Sequence, residues 1–284
     1  WAKCGIASRN FGVFQKGLNQ FLSDSPMDVG ISRDKKGKVE PSQGLKRYIE
    51  TLEMKAKRGD LQSQFLLGYM YSEGILVPLD ERKGIDYLRE AAGQNEPAAQ
   101  YRLSSLYYKG IAGRQDFDKA FEWEEKAAQN GYVPAMEGLA WLYRTGLGCK
   151  RDLKEAERWY ERAIENGYSS AYRPLAEVCE LLLQFDDAVG WWEKAAERND
   201  SYACYRLAKL YKEGYGEHPP DYLKVAEWFR RASEPEFNQI EAQFELGQMY
   251  YLGYGFVKRD FKEALRWFQK AAEAGQVDSQ YNTA

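Results

Sequence analysis

Pro97-Ala98-Ala99-Gln100-Tyr101-Arg102-Leu103-Ser104-Ser105-Leu106-Tyr107-Tyr108-Lys109-Gly110 is the stretch that decides the fold. Ala99, Leu103, Leu106 and Tyr107 fall at i, i+4, i+7 and i+8, the apolar stripe of an amphipathic helix. Gly110 follows the last periodic residue, where a left-handed stop conformation favours glycine. A short loop leads to Asp116, placed to cap a second helix. That helix carries Ala120, Trp123, Ala127 and Ala128 at three- and four-residue spacing. The spacing predicts one helical hairpin from Pro97 to Gly131.

The pattern then repeats. Gly74, Gly110 and Gly146 stand 36 residues apart, and the same step carries Ala91-Ala92 to Ala127-Ala128 and on to Ala163-Ile164. A hairpin of this length cannot bury its own apolar face, so its neighbours must stack on it. Ser63, Leu67, Met70, Tyr71 and Gly74 lead to Tyr87, Ala91 and Ala92; Ala135, Leu139, Leu142, Tyr143 and Gly146 lead to Ala156, Trp159 and Ala163. Ala203, Leu207, Leu210, Tyr211 and Gly214 lead to Trp228 and Ala232; Ala242, Leu246, Met249, Tyr250 and Gly253 lead to Ala264, Trp267, Ala271 and Ala272. The fourth hairpin departs: Cys179 replaces the Tyr, no glycine loop follows, and Pro174 falls inside the expected first helix, which is costly unless it lies in the first turn. The expected architecture is all-α, a right-handed α/α solenoid of about six hairpins near 60–95, 96–131, 132–167, 168–199, 200–238 and 239–275, with a partial seventh over 276–284. Ser42–Gly59 reads as a lone second helix, since Ala56 stands 36 before Ala92.

The motif Ala-x3-Leu-(Gly/Ala/Ser)-x2-Tyr-x2-Gly, followed by Asp-x3-Ala-x2-Trp-x2-Lys-Ala-Ala-x2-Gly, resembles the Sel-one-like repeat, a relative of the tetratricopeptide repeat. The resemblance runs over about 60–281 and implies a protein-binding scaffold. Residues 1–41 lie outside it. There Phe11, Phe14, Leu18, Phe21 and Leu22 suggest an amphipathic helix, either capping the first hairpin or docking a partner or membrane attachment. The chain opens with Trp1, so an upstream segment, a signal peptide among the options, is expected to be missing.

Composition narrows the function classes. Across 284 residues, 40 Lys+Arg against 43 Asp+Glu leave a formal charge of −3, which gives no electrostatic case for nucleic acid. No run of 18 apolar residues exists to span a membrane. Cys4, Cys149, Cys179 and Cys204 share no regular spacing, so they are read as packed thiols or one bridge. His218 lies in Tyr215-Gly216-Glu217-His218-Pro219-Pro220, as a solvated loop residue or a proton sensor. Gly146-Leu147-Gly148 and Gly214-Tyr215-Gly216 lack the strand and the Lys-Ser/Thr of a phosphate loop. Glu122, Glu124, Glu125, Glu155, Glu157 and Glu161 are expected on solvated faces. No catalytic residue, metal ligand or cofactor site is expected.

Binding is therefore sought on the first helices. By register, their positions beside the apolar stripe form three columns: Phe65, Tyr101, Glu137, Arg173, Tyr205 and Phe244; Tyr69, Ser105, Trp141, Glu177, Lys209 and Gln248; Ser72, Tyr108, Arg144, Glu180, Lys212 and Tyr251. Tyr, Trp and Arg are the types enriched at interface hot spots. A concave groove is expected with Phe65, Tyr69, Tyr101, Tyr108, Trp141, Tyr205, Phe244 and Tyr251 as aromatic contacts. Arg144, Arg173, Lys209 and Lys212 would be its charge anchors, although several rings could instead pack against the neighbouring hairpin. Three roles follow: an adaptor in a bacterial envelope complex, an immunity protein blocking a secreted toxin enzyme, or a carbohydrate-binding module. The periplasm is the favoured location, the cytoplasm the alternative.

Overall fold

The computed structural model describes residues 31–33, 39–41, 43–110, 114–234, 239–253 and 258–275. The chain divides into two bodies, one ending at Asp152 and the other beginning at Leu153. The first holds a short antiparallel ladder of β1 (Ile31–Arg33) with β2 (Val39–Pro41), with Ser32 opposite Glu40. There follow α1 (Gln43–Lys57), α2 (Leu61–Glu73), α3 (Glu81–Gly93), α4 (Pro97–Lys109), α5 (Phe117–Gln129) and α6 (Val133–Thr145). The second holds α7 (Leu153–Glu165), a 3-10 turn at Ser169–Ala171, α8 (Tyr172–Leu181), α9 (Phe185–Glu197), α10 (Ser201–Glu213), α11 (Tyr222–Ala232), α12 (Ile240–Leu252) and α13 (Phe261–Glu273). Within each body every helix packs on the next in sequence. The helix expected over Phe11–Leu22 and the partial hairpin from Gln276 lie outside the described residues.

One loop bond recurs in each hairpin. The aspartate that opens the second helix caps it: Asp116 accepts from the Lys119 amide, and Asp80, Asp221 and Asp260 cap their helices alike. The backbone amide of that same aspartate donates back to the tyrosine carbonyl near the end of the first helix. The pairs are Asp80 to Tyr71 (2.9 Å), Asp116 to Tyr107 (3.0 Å), Asp152 to Tyr143 (2.9 Å), Asp221 to Tyr211 (2.9 Å) and Asp260 to Tyr250 (2.9 Å). In the fourth hairpin, which has neither Tyr nor Gly here, the Gln184 amide donates to the Cys179 carbonyl at 2.9 Å. Leu183 takes the left-handed conformation there, at φ 61°. Pro174 is the third residue of α8, so its missing N–H falls in the first turn, where no intrahelical acceptor awaits it.

The two helices of a hairpin differ in how they are buried. The second helices keep one apolar face, but α4 buries Gln100, Tyr101, Arg102 and Ser104 as well as its expected stripe. It lies between α3 and α5, and Arg102 also reaches toward Ser72 on α2. The buried amides are satisfied by a clasp that repeats at the 36-residue step: Gln64 Nε2 donates to the Ala56 carbonyl at 3.1 Å and Gln100 Nε2 to the Ala92 carbonyl at 3.2 Å. Gln94 and Asn130 donate in turn to the Oε1 atoms of Gln64 and Gln100. The apolar core of the first body runs through Phe65, Leu88, Ala91, Ala99, Leu103, Leu106 and Ala120. Cys149, Cys179 and Cys204 are free thiols, and burial pushes Cys179 up to about 12 and Cys204 up to about 11, so both stay protonated and unreactive at neutral pH.

Gly148 is the tightest point among the loops. It has φ +73°, and a Cβ built there would meet the Phe117 carbonyl oxygen at 2.0 Å. Gly131 has a similar φ of +83° but nothing within 4 Å. Gly148→Ala is expected to cost about 3 kcal/mol and Gly131→Ala about 1 kcal/mol, read by urea unfolding. Equal losses at the two positions would mean that the loop does not rest on the start of α5.

Candidate binding faces

In the first body, α2, α4 and α6 are the first helices of successive hairpins, and their side chains form one candidate face. Phe65, Tyr69 and Tyr101 are buried and serve packing: Phe65 belongs to the core with Leu88 and Leu103, Tyr69 packs with Leu52 and Leu66, and the Tyr101 ring lies 5.1 Å from that of Tyr132. These three rings, from two of the columns, are covered by the neighbouring helices that flank each first helix. Tyr108 and Trp141 are half-buried and come together edge-on, ring centres 5.7 Å apart, with Phe117 5.5 Å from Tyr108 on the other side. Arg144 is half-buried one turn beyond Trp141, and its carbonyl accepts from Arg151 Nε at 3.0 Å.

A cation that the register did not single out lies on the same helix as Tyr108 and reaches toward α2. Arg102 is buried, its guanidinium 5.0 Å above the Tyr69 ring, and it is ion-paired with Glu73 across to α2. Burial holds its pKa below the usual arginine value, with Tyr69 opposing the shift. The 36-residue register places Arg102 where α2 has Leu66, so no apolar-stripe reading of the sequence would find it.

In the second body the charged side chains of the candidate face are engaged within the fold. Arg173 pairs with Asp200 at 2.7 Å and lies 5.3 Å over the Tyr202 ring. Lys212 pairs with Glu245 at 2.6 Å, and Lys209 stands 3.8 Å from the same carboxylate. Glu180 binds both Arg206 and the indole N–H of the buried Trp192. Tyr205 leans on Phe229 at 5.9 Å, and Phe244 on Phe268 at 5.7 Å. Tyr251 is the most open of the predicted rings, edge-on to exposed Phe261 at 5.6 Å with Arg259 over both. His218 sits in its loop 3.0 Å from Asp186 and against the Tyr215 ring, both ion-pair partners exposed.

On the second helices, the tryptophan of the repeat motif carries a cation one turn on, as with Lys126 over Trp123 at 4.4 Å, Lys194 over Trp191 at 3.8 Å and Lys270 over Trp267 at 4.2 Å. One expected surface carboxylate is not on the surface. Glu124 is 0% exposed, because α5 turns it toward α4 and α6 rather than toward water.

Hairpins of about 36 residues closed by one recurrent loop bond define the α/α repeat, or solenoid, class. The chain belongs to the Sel1 repeat family, whose model matches residues 61–96, 97–132, 133–168, 184–200, 201–234 and 240–276. The short fourth match begins after α8, where the Tyr and Gly of the motif are missing. Sel1 repeats typically serve protein–protein interaction and are generally non-enzymatic scaffolds. Among solved structures, the chain is similar to a protective antigen present in uropathogenic Escherichia coli strains, at 27% identity and TM-score 0.69 over 83% of this chain. The chain spans 50% of that antigen's length. It is also similar to a Sel1 repeat protein from Oxalobacter formigenes, at 30% identity and TM-score 0.58, over 82% of this chain and 68% of that one. An immunity protein from Pseudomonas aeruginosa superposes only at TM-score 0.37 with 18% identity over 74% of this chain and 87% of its own, which carries no argument about function. Curated protein sequences give no match. No helix among the described residues is long and apolar enough to cross a membrane.

Burial separates the two kinds of cation. Removing Arg102 leaves Glu73 and a hole over Tyr69, so Arg102→Met is expected to lower stability by about 3 kcal/mol. The exposed pair of Arg173 with Asp200 contributes little, so Arg173→Met is expected to cost under about 1 kcal/mol. Denaturant unfolding of both variants checks this, and similar losses would contradict the difference in burial.

Proposed function

We propose that this chain is a protein-binding scaffold that engages its partner through the first-helix face of the first body, centred on Tyr108 and Trp141 with Arg144 beside them. One observation carries the reading: these two half-buried rings meet edge-on between successive hairpins, held by Phe117, and so are set in place before any partner arrives. Pre-organised aromatic contacts lower the ordering cost of association. The engaged state of Arg173, Lys209 and Lys212 gives those cations a structural role and leaves the aromatic pair as the better-supported contact. The rings lie among Arg144, Glu137 and Ser105 by register, which suits a protein surface better than an uncharged sugar chain.

We place the scaffold as an adaptor at the bacterial envelope, on its extracytoplasmic side. The similarity to a protective antigen present in uropathogenic Escherichia coli strains is what supports that location.

The test is affinity capture from an extract of the source cells with the chain immobilised, against Tyr108→Ala/Trp141→Ala. Loss of two interface rings is expected to weaken capture of a specific partner by tenfold or more, at about 2 kcal/mol per hot-spot ring, while circular dichroism stays unchanged. A partner bound equally by both proteins would sink the assignment of the face. Fractionation that finds the chain with cytoplasmic markers would sink the location.

A further inference from the structure

In five of the six hairpins the position directly after the second-helix tryptophan (Tyr87 in the first hairpin) is filled by a large apolar side chain. It holds Leu88, Tyr160, Trp192, Phe229 and Phe268, all buried and among them several of the largest fully buried groups. These side chains need a small residue opposite. A Cβ added to Gly68 would stand 2.6 Å from Leu88 Cγ, and one added to Gly247 would stand 2.6 Å from the Phe268 ring. In the second hairpin the same two positions are Ser104 and Glu124. An ionisable group therefore stands where every other hairpin has a hydrophobic plug.

The environment of Glu124 does not suit a charge. The residue is fully buried, and neither carboxylate oxygen has a hydrogen-bond partner of good geometry. The Ser104 hydroxyl on α4 eases the charged form in part, and the carboxylate of Glu137 on α6 opposes it. No cation from α4, α5 or α6 relieves it. Burial, the largest cause, pushes its pKa from 4.5 up to about 8, the Ser104 hydroxyl acting against the shift and Glu137 adding to it. A buried polar group left this poorly satisfied calls for an explanation beyond packing.

We propose that Glu124 is a proton-controlled plug: protonated, it packs against Ser104 and closes the second hairpin, and ionised, it loosens α5 from α4. The bookkeeping of protons fixes the direction. The folded chain holds the proton to a higher pH than the unfolded chain, so the stability of this hairpin is fully present below about pH 4.5 and is lost as the pH rises toward about 8. Above that the carboxylate is charged in both states and the loss is constant. Tyr108 stands one turn beyond Ser104 on α4, so loosening α4 would also move the ring that meets Trp141. That consequence for binding rests on the function proposed above, whereas the plug itself does not.

Amide hydrogen exchange read by mass spectrometry, on the full chain without partner, separates the two. After correction for intrinsic exchange rates, protection of peptides within 97–129 is expected to fall about tenfold or more between pH 5 and pH 9, one unit of pKa being a factor of ten. Peptides within 61–93, where the plug is Leu88, are expected to change less. Glu124→Gln should remove the pH dependence, and Glu124→Leu should raise protection at pH 9. Unchanged protection in the native chain at pH 9, or an equal loss in Glu124→Gln, would overturn the proposal. If the glutamine variant does not fold, the leucine variant decides: a pH-dependent loss that persists there also overturns it.

Discussion

The close approach of the two helices in a hairpin governs what the rest of the chain can be. Gly68 lets α2 come within van der Waals distance of Leu88 on α3, and Gly247 does the same for Phe268 on α13. At such separations a large side chain on one helix must face a small one on its partner, and volume has little slack in a close-packed interior. The alanine pairs Ala91-Ala92, Ala127-Ala128 and Ala195-Ala196, all buried, extend the same rule along the second helices. The Asp-to-Tyr loop bond then fixes where each second helix begins, so the large and small positions meet in register.

Polar groups are admitted to this interior on strict terms. Gln64 and Gln100 are buried, but the side-chain nitrogen and oxygen of each are held by backbone and side-chain partners. Arg102 is buried over an aromatic ring and beside a carboxylate. Glu180 gathers Arg206 and the Trp192 indole. Glu124 differs from these three in that it faces a hydroxyl and another carboxylate. It packs against the helix that carries Tyr108.

The same inventory explains why the candidate face is narrower than a reading of columns implies. Residues at one register position differ in fate because each first helix has its own neighbours. Ser72 is 6% exposed whereas Tyr251, at the same position of its hairpin, is 49% exposed. Lys209 and Lys212 share Glu245 from the next first helix, a partner 33 residues beyond Lys212. A ring or a cation on the expected face is available to a partner only where the adjoining hairpin leaves it uncovered.

The sequence by itself determined the hairpin and its period. Helix stripe, glycine stop, aspartate cap and alanine pair all act within a dozen residues or so, and local groups decide helix ends and turns. It also marked the fourth hairpin as different, and a Leu183 turn and a first-turn Pro174 accommodate the difference without losing the loop bond. Only the tertiary structure decided which faces are covered. The burial of Glu124, the pairing of Arg102 with Glu73 and the engagement of the cations in the second body depend on side chains from neighbouring helices. The physical reason is that period and capping are properties of one hairpin, while burial is a property of the stack.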